Sequence, residues 1–179
     1  MSEVTDAELV ERCRGGQRQA FDELIRRYEK PVFNVALRMV RNAEDARDVT
    51  QTAFMKAFEH LQGYDSNYRF FSWIYRIAIN EAIDLRDGRR RHEAVDDSLP
   101  APGPGPDRCL GDDQLTRAVE RVLAGMKPEF QSVLLLRHFA DLSYEQVAAA
   151  LDLPEKTVKS RLFTARQVMR DLLEREGLL

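Results

Sequence analysis

The chain has 179 residues, of which 44% are hydrophobic and 32% charged, with nine glycines, seven prolines and two cysteines. That composition suits a helix-rich globular protein. It argues against a disulfide framework or a zinc site, because Cys13 and Cys109 lie far apart with no C-x-x-C pattern, and no apolar run approaches the ~20 residues that span a bilayer.

The net charge of −3 argues against indiscriminate nucleic-acid binding, yet its distribution is uneven. Arginines crowd the stretch from Arg69 to Arg91. Lys156, Lys159, Arg161, Arg166, Arg170 and Arg175 make the C-terminal segment basic. Between these islands Glu93, Asp96, Asp97, Asp107, Asp112 and Asp113 face Arg108 alone. The start, "MSEVTDAELVERC", is acidic and polar, unlike a signal peptide, so a cytoplasmic protein is expected.

In chain order, Thr5-Asp6-Ala7-Glu8 has capping-box form ahead of Leu9, Val10 and Cys13. Gly15-Gly16 interrupts, and Phe21, Leu24, Ile25 and Tyr28 then recur at helical spacing. Pro31 permits a new or kinked start before Val32, Val35, Ala36, Met39 and Val40. Asn42 is a candidate N-cap for a helix with Ala46, Val49, Ala53, Phe54, Ala57, Phe58 and Leu61 on one side. "QGYDSNYR" reads as a loop and "FFSWIYRIAINEAIDLRDGRRR" as a helix with a basic end. "DDSLPAPGPGPDRCLGDD" cannot continue a helix and has little to bury, so it reads as an extended linker.

Beyond the linker, Leu115, Val119, Val122 and Leu123 form an apolar face, and Pro128 can start a helix over Val133 to Leu136. Ser143 to Gln146 again has capping-box form. After Pro154 a last helix carries Val158, Leu162, Ala165, Met169, Leu172 and Leu173 as a stripe. The expected fold is all-α: two small helical domains, 1–92 and 113–179, joined by a flexible Pro/Gly-rich linker over 93–112.

Three constellations carry chemistry. "LSYEQVAAALDLPEKTVKSRLFTA" fits a helix-turn-helix, with Ala148 small where the helices approach and Lys156, Thr157, Lys159, Ser160, Arg161 and Thr164 near the outward N-terminal half of the second helix. In such a motif those positions reach base edges in the major groove, where Lys and Arg suit phosphate and guanine and Ser and Thr suit either. The bland alternative is a helical hairpin with a solvated basic face. Next, "YDSNYRFFSWIYRIAIN" interleaves aromatic rings with Arg69 and Arg76, a pattern that suits unpaired bases. Phe70, Phe71 and Ile74 fit better as core, whereas Tyr64 and Tyr68, in a polar loop, are candidates for stacking. The third, Glu44, Asp45, Asp48 and Gln51 beside Phe54, would by itself read as a solvated face. His60, His92 and His138 lie apart, and neither a catalytic centre, a metal site nor a cofactor is expected.

The chain resembles the extracytoplasmic-function sigma factors, minimal bacterial sigma factors with two helical domains. "DARDVTQTAFMKAF" is similar to the family's region 2.2, "FFSWIYRIAINEAID" to regions 2.3 and 2.4, and "LSYEQVAAALDLPEKTVKSRLFTAR" to region 4.2, in order and on both sides of a linker. The resemblance implies a non-catalytic specificity subunit of RNA polymerase. It matches Asp45, Asp48, Gln51 and Phe54 to the helix that docks on the β′ clamp helices of core, which also offers its β subunit. It matches Tyr64 to Phe70, Arg69 and Tyr68 included, to a loop that captures a flipped −10 base. Trp73, Tyr75 and Arg76 match the motif supporting that loop, and Asn80 and Asp84 a face toward the melted −10 strand. Arg137, Lys159, Ser160, Arg161 and Phe163 match positions used at the −35 element. Asp152 stands where the family commonly has Gly in the turn, a replacement that tolerates left-handed geometry. Promoter DNA and an anti-sigma partner are implied, and membrane insertion is not. The rival reading is a two-domain helix-turn-helix regulator acting without polymerase; the aromatic loop and the Asp45/Asp48/Gln51 helix discriminate, since a simple repressor needs neither.

Overall fold

The computed structural model describes residues 4–95, 114–175 and 177. The expected linker, from residue 96 onward, and Cys109 lie outside the described residues. Among the described residues the regular structure is helical: α1 (Asp6–Arg14), α2 (Gln19–Val40), α3 (Ala43–Glu59), a 3-10 turn (Leu61–Gly63), α4 (Phe70–Val95), α5 (Gln114–Gly125), α6 (Pro128–His138), α7 (Tyr144–Leu151) and α8 (Glu155–Arg175).

Local chemistry sets most boundaries. The Thr5 hydroxyl accepts from the Glu8 amide at 3.3 Å and the Glu8 carboxylate accepts from the Thr5 amide at 2.8 Å, a reciprocal cap on α1. Gly16, at φ 92, turns the chain into α2 where a side chain would be strained. Asn42 caps α3 by accepting from the amides of Glu44 (2.8 Å) and Asp45 (3.1 Å). Asn42→Ala strands both donors and is expected to cost about 1 kcal/mol of stability. A thermal or urea melt checks this, and an unshifted midpoint would show that the cap contributes nothing.

No new helix starts at Pro31, one of the two outcomes it permits: α2 runs through it. Phe21 and Leu24 before it and Val32, Val35, Ala36 and Met39 after it are all buried. Burying aliphatic side chains on both flanks, at roughly 1.5–3 kcal/mol each, outweighs the ~3 kcal/mol a helix-interior proline costs.

Helices α1 to α4 pack as one bundle around Leu24, Ile74 and Phe70, and α5 to α8 as another around Leu135, Leu136 and Leu162. The two are not separate bodies. Helix α7 lies against α4, and α5 and α6 lie against α2, so the buried apolar residues form one continuous cluster from Leu9 to Ala165. No described helix is long and apolar enough to cross a membrane, and among the described residues no group of His, Cys, Asp and Glu is placed to hold a metal ion.

Candidate nucleic-acid and polymerase interfaces

Ser143 opens α7 with a reciprocal cap: its hydroxyl accepts from the Gln146 amide at 3.2 Å, and the Gln146 carbonyl oxygen accepts from the Ser143 amide at 2.7 Å. Asp152 closes α7 in left-handed geometry, φ 55 and ψ 49, as the turn requires. Helix α8 starts behind Pro154 and buries Val158, Leu162 and Ala165, while α7 buries Val147 and Ala150. Those contacts leave Lys156, Lys159, Ser160, Phe163 and Thr164 exposed, with Thr157 and Arg161 half-buried. Phe163 is 66% exposed, so the family-matched position presents a bare ring.

Tyr144, expected only as part of the α7 cap, organises the basic surface. Its ring lies 5.7 Å from the Arg137 guanidinium and 5.8 Å from the Lys159 ammonium, a cation on each of two elements. Lys159 also meets Glu155 at 2.6 Å, and that hydrogen bond holds its ammonium above the usual lysine range. Arg137 donates to Asp141 and to the Leu142 carbonyl, both at 3.3 Å. An aromatic one residue after a capping Ser, in the helix just before a basic one, is the signal for it in the sequence.

The aromatic loop divides. Tyr64, expected as a stacking ring in a polar loop, is 7% exposed. Its ring packs 4.9 Å from Trp73 and 6.1 Å from Phe70, and its hydroxyl donates to the Tyr68 carbonyl. Tyr64 therefore props the loop rather than presenting a face, because two aromatic neighbours on α4 offer more apolar burial than solvent does. Tyr68 is 50% exposed and Arg69 is exposed beside it. Tyr75 of α4 is buried, and that burial pushes its hydroxyl up to about 12. Trp73 is half-buried. Arg76, Asn80 and Asp84 follow at four-residue steps and so share one face of α4. Arg76 donates to the Ala149 carbonyl at 2.6 Å, across the boundary between the bundles.

The α3 face also departs from expectation. Asp45 is buried and meets Arg89 of α4 at 2.5 Å, and Phe54 is buried with its ring 6.4 Å from Phe21. Neither faces solvent, because α2 and α4 flank that side of α3. Asp48 and Gln51 are exposed, and Met55 (55%) and Phe58 continue their stripe at helical steps of four and three. Phe58, expected on the apolar side with Phe54, is 41% exposed, and Met55 stands beside it on the open face. Their spacing from Asp48 was the signal.

Comparison with known proteins returns the same two-part pattern. Residues 24–92 match the family description Sigma-70 region 2, and 116–169 match Sigma-70, region 4. The chain is 32% identical to the RNA polymerase sigma-H factor of Pseudomonas aeruginosa, over 97% of this chain and 96% of that one. It is 34% identical to the ECF RNA polymerase sigma-E factor of Escherichia coli, over 94% and 95%. Among solved structures it resembles CnrH in complex with the cytosolic domain of CnrY, at 25% identity and TM-score 0.72, over 93% of this chain and 96% of that one. The fold is also that of the sigma factor RpoE solved with the anti-sigma factor NepR from Bartonella quintana, at 19% identity and TM-score 0.73, over 86% and 96%.

Proposed function

The chain belongs to the extracytoplasmic-function sigma factors of RNA polymerase, and from that premise we propose which of its surfaces bind core and which read the promoter. The protein is an alternative sigma factor, a transcription initiation factor. In our reading it is non-catalytic, acts in the cytoplasm where core and DNA meet, and divides into a region 2 domain (1–92), a linker (93–112) and a region 4 domain (113–179).

Asp48, Gln51, Met55 and Phe58 dock on core. The apolar half of that stripe supplies burial, and a flexible Met adapts to a partner surface. Asp45 and Phe54 act behind it, holding α3 against α4 and α2. Lys156, Lys159, Ser160, Arg161 and Thr164 read −35 duplex, with Thr157 and Phe163 at the edge of that face, and Arg137, braced on Tyr144, contacts phosphate. Tyr68 and Arg69 take the flipped −10 base, on a loop propped by Tyr64 and Trp73. Asn80 and Asp84 line the path of the unpaired strand. Flipping a base costs a few kcal/mol, and stacking at about 1–3 kcal/mol per base, with hydrogen bonds, offsets it. An anti-sigma factor is a further partner in this reading, as NepR is for the RpoE of similar fold, and CnrH too is solved with a protein partner.

The observation that carries this reading is the coexistence, in one chain, of an exposed basic recognition face on α8 and an exposed Tyr68 beside Arg69 on a propped loop. A repressor reading duplex alone has no use for the second. Tyr68→Ala tests it: Tyr68 is exposed, so the fold is expected to hold. Affinity of the holoenzyme for a single-stranded −10 oligonucleotide is expected to fall by roughly 1–3 kcal/mol, about 5- to 150-fold. Unchanged affinity would remove Tyr68 from the strand site.

A further inference from the structure

Tyr68 and Arg69 stand on the exposed stretch 65–69, between the 3-10 turn and α4. The far end of that stretch is fixed by α4, where the Ser72 amide donates to the Arg69 carbonyl at 3.0 Å. The near end follows the 3-10 turn, and a helical turn that stops leaves carbonyl oxygens for which it supplies no donor.

One side chain from the start of the sequence gathers those carbonyls. Arg14, the last residue of α1, donates from Nε to the Leu61 carbonyl at 3.1 Å. From Nη2 it donates to the Gln62 carbonyl at 3.4 Å and to the Tyr64 carbonyl. Its remaining nitrogen, Nη1, meets the Glu11 carboxylate at 2.8 Å, one turn back on α1. The guanidinium carbon lies 5.9 Å from the centre of the Tyr64 ring, the ring whose hydroxyl donates to the Tyr68 carbonyl. The Arg14 side chain is only 21% exposed, and hydrogen bonds from a charged donor are roughly twice as strong as neutral ones.

Helix α1 is itself fixed at its other end. Arg27 of α2 donates to the Asp6 carboxylate at 2.9 Å and to the Val4 carbonyl at 2.7 Å. Leu9, Val10 and Cys13 are buried between those two ends. The match to Sigma-70 region 2 begins at residue 24, so this grip on the loop comes from ahead of it.

We infer that Arg14 is a positioning residue for the −10 strand: its guanidinium fixes the near end of the loop on which Tyr68 and Arg69 take the flipped base. Arg14 touches no base; it acts through the backbone of 61–64 and through the Tyr64 ring. The inference rests on the assignment of Tyr68 and Arg69 in the preceding section. A loop held in advance spares base capture the cost of ordering it. Lysine is a poor substitute, because its donors radiate from one point whereas the fork spans the carbonyls of three residues.

The test uses holoenzyme and the single-stranded −10 oligonucleotide. Arg14→Met keeps an apolar stem and removes the fork. It is expected to lower affinity for the oligonucleotide about tenfold. Core binding and −35 duplex affinity are expected to stay at the wild-type level, since α1 packs on α2 and the 3-10 turn. In a Tyr68→Ala background the same substitution is expected to cost at most about twofold, because a ring already removed cannot be misplaced. Damage to the fold alone would cost the same in both backgrounds. Arg14→Lys is expected to fall between the wild type and Arg14→Met, and it carries the test if the Met variant does not fold. In the free chain, hydrogen exchange is expected to quicken at the amides of 63–68 and not within α4. Equal losses in both backgrounds, unchanged exchange, or wild-type oligonucleotide affinity in Arg14→Met would overturn the positioning role. A wild-type holoenzyme that does not bind the oligonucleotide, or binds it equally well with Tyr68→Ala, would instead overturn the loop assignment and the role of Arg14 with it.

Discussion

Asp48→Arg combined with Met55→Ala is expected to leave the chain folded and to weaken its binding to core polymerase by at least about 2 kcal/mol, some 30-fold. Both side chains are exposed on α3, so neither substitution opens a cavity. The reversal sets a positive charge where the proposed docking face offers a negative one, and like-charge juxtaposition across an interface costs several kcal/mol. Met55 contributes apolar area at the centre of the Asp48–Phe58 stripe. The contrast is Asp45. It is buried against Arg89, so Asp45→Ala leaves a guanidinium without its carboxylate and is expected to appear in the thermal midpoint before it appears in core affinity. Co-purification with core polymerase and melting curves of the same variants separate the two. Normal core binding by the Asp48/Met55 variant would move the docking surface elsewhere.

Lys159→Ala and Arg161→Ala are expected to disable reading of the −35 element, each at about 1–3 kcal/mol if it contacts a base edge. Neither is a core residue: Lys159 is exposed and Arg161 half-buried, while Val158 and Leu162 hold α8 to α7. The two roles differ in their salt response. A lost phosphate contact lowers the salt slope by about one and weakens all sequences alike, whereas a lost base contact relaxes preference at one position. Lys159 is already tied to Glu155 and set near Tyr144. It must leave or share that pair to reach DNA, so its single substitution is expected to cost less than that of Arg161. The effects of two residues so close together need not add. Binding of holoenzyme to −35 duplexes across a salt series measures both. A double variant with the wild-type profile would remove α8 from promoter reading.

What the sequence revealed and what it hid follow from range. Caps are local: Thr5 with Glu8, Asn42, and Ser143 with Gln146 each need three or four residues, and the structure has all three. The helix-turn-helix was legible for the same reason, since the capping Ser, the left-handed Asp152 and the Val158–Leu162–Ala165 stripe lie within 23 residues of one another. The errors were all tertiary. Nothing local distinguishes Tyr64, buried against Trp73, from Tyr68, exposed four residues on; the difference is which ring lies over α4. Asp45 looked like surface until Arg89, 44 residues away, supplied its partner. Pro31 permits a new start by local rule, but α2 continues through it because buried residues on both sides pack against neighbouring helices.

The most direct measurement is run-off transcription with core polymerase on a library of promoter sequences, with and without this protein. New start sites are expected that appear only with the protein, share a −35 and a −10 element at fixed separation, and are lost with Lys159→Ala/Arg161→Ala. A protein that binds core yet yields no new start sites would contradict the promoter-reading assignment.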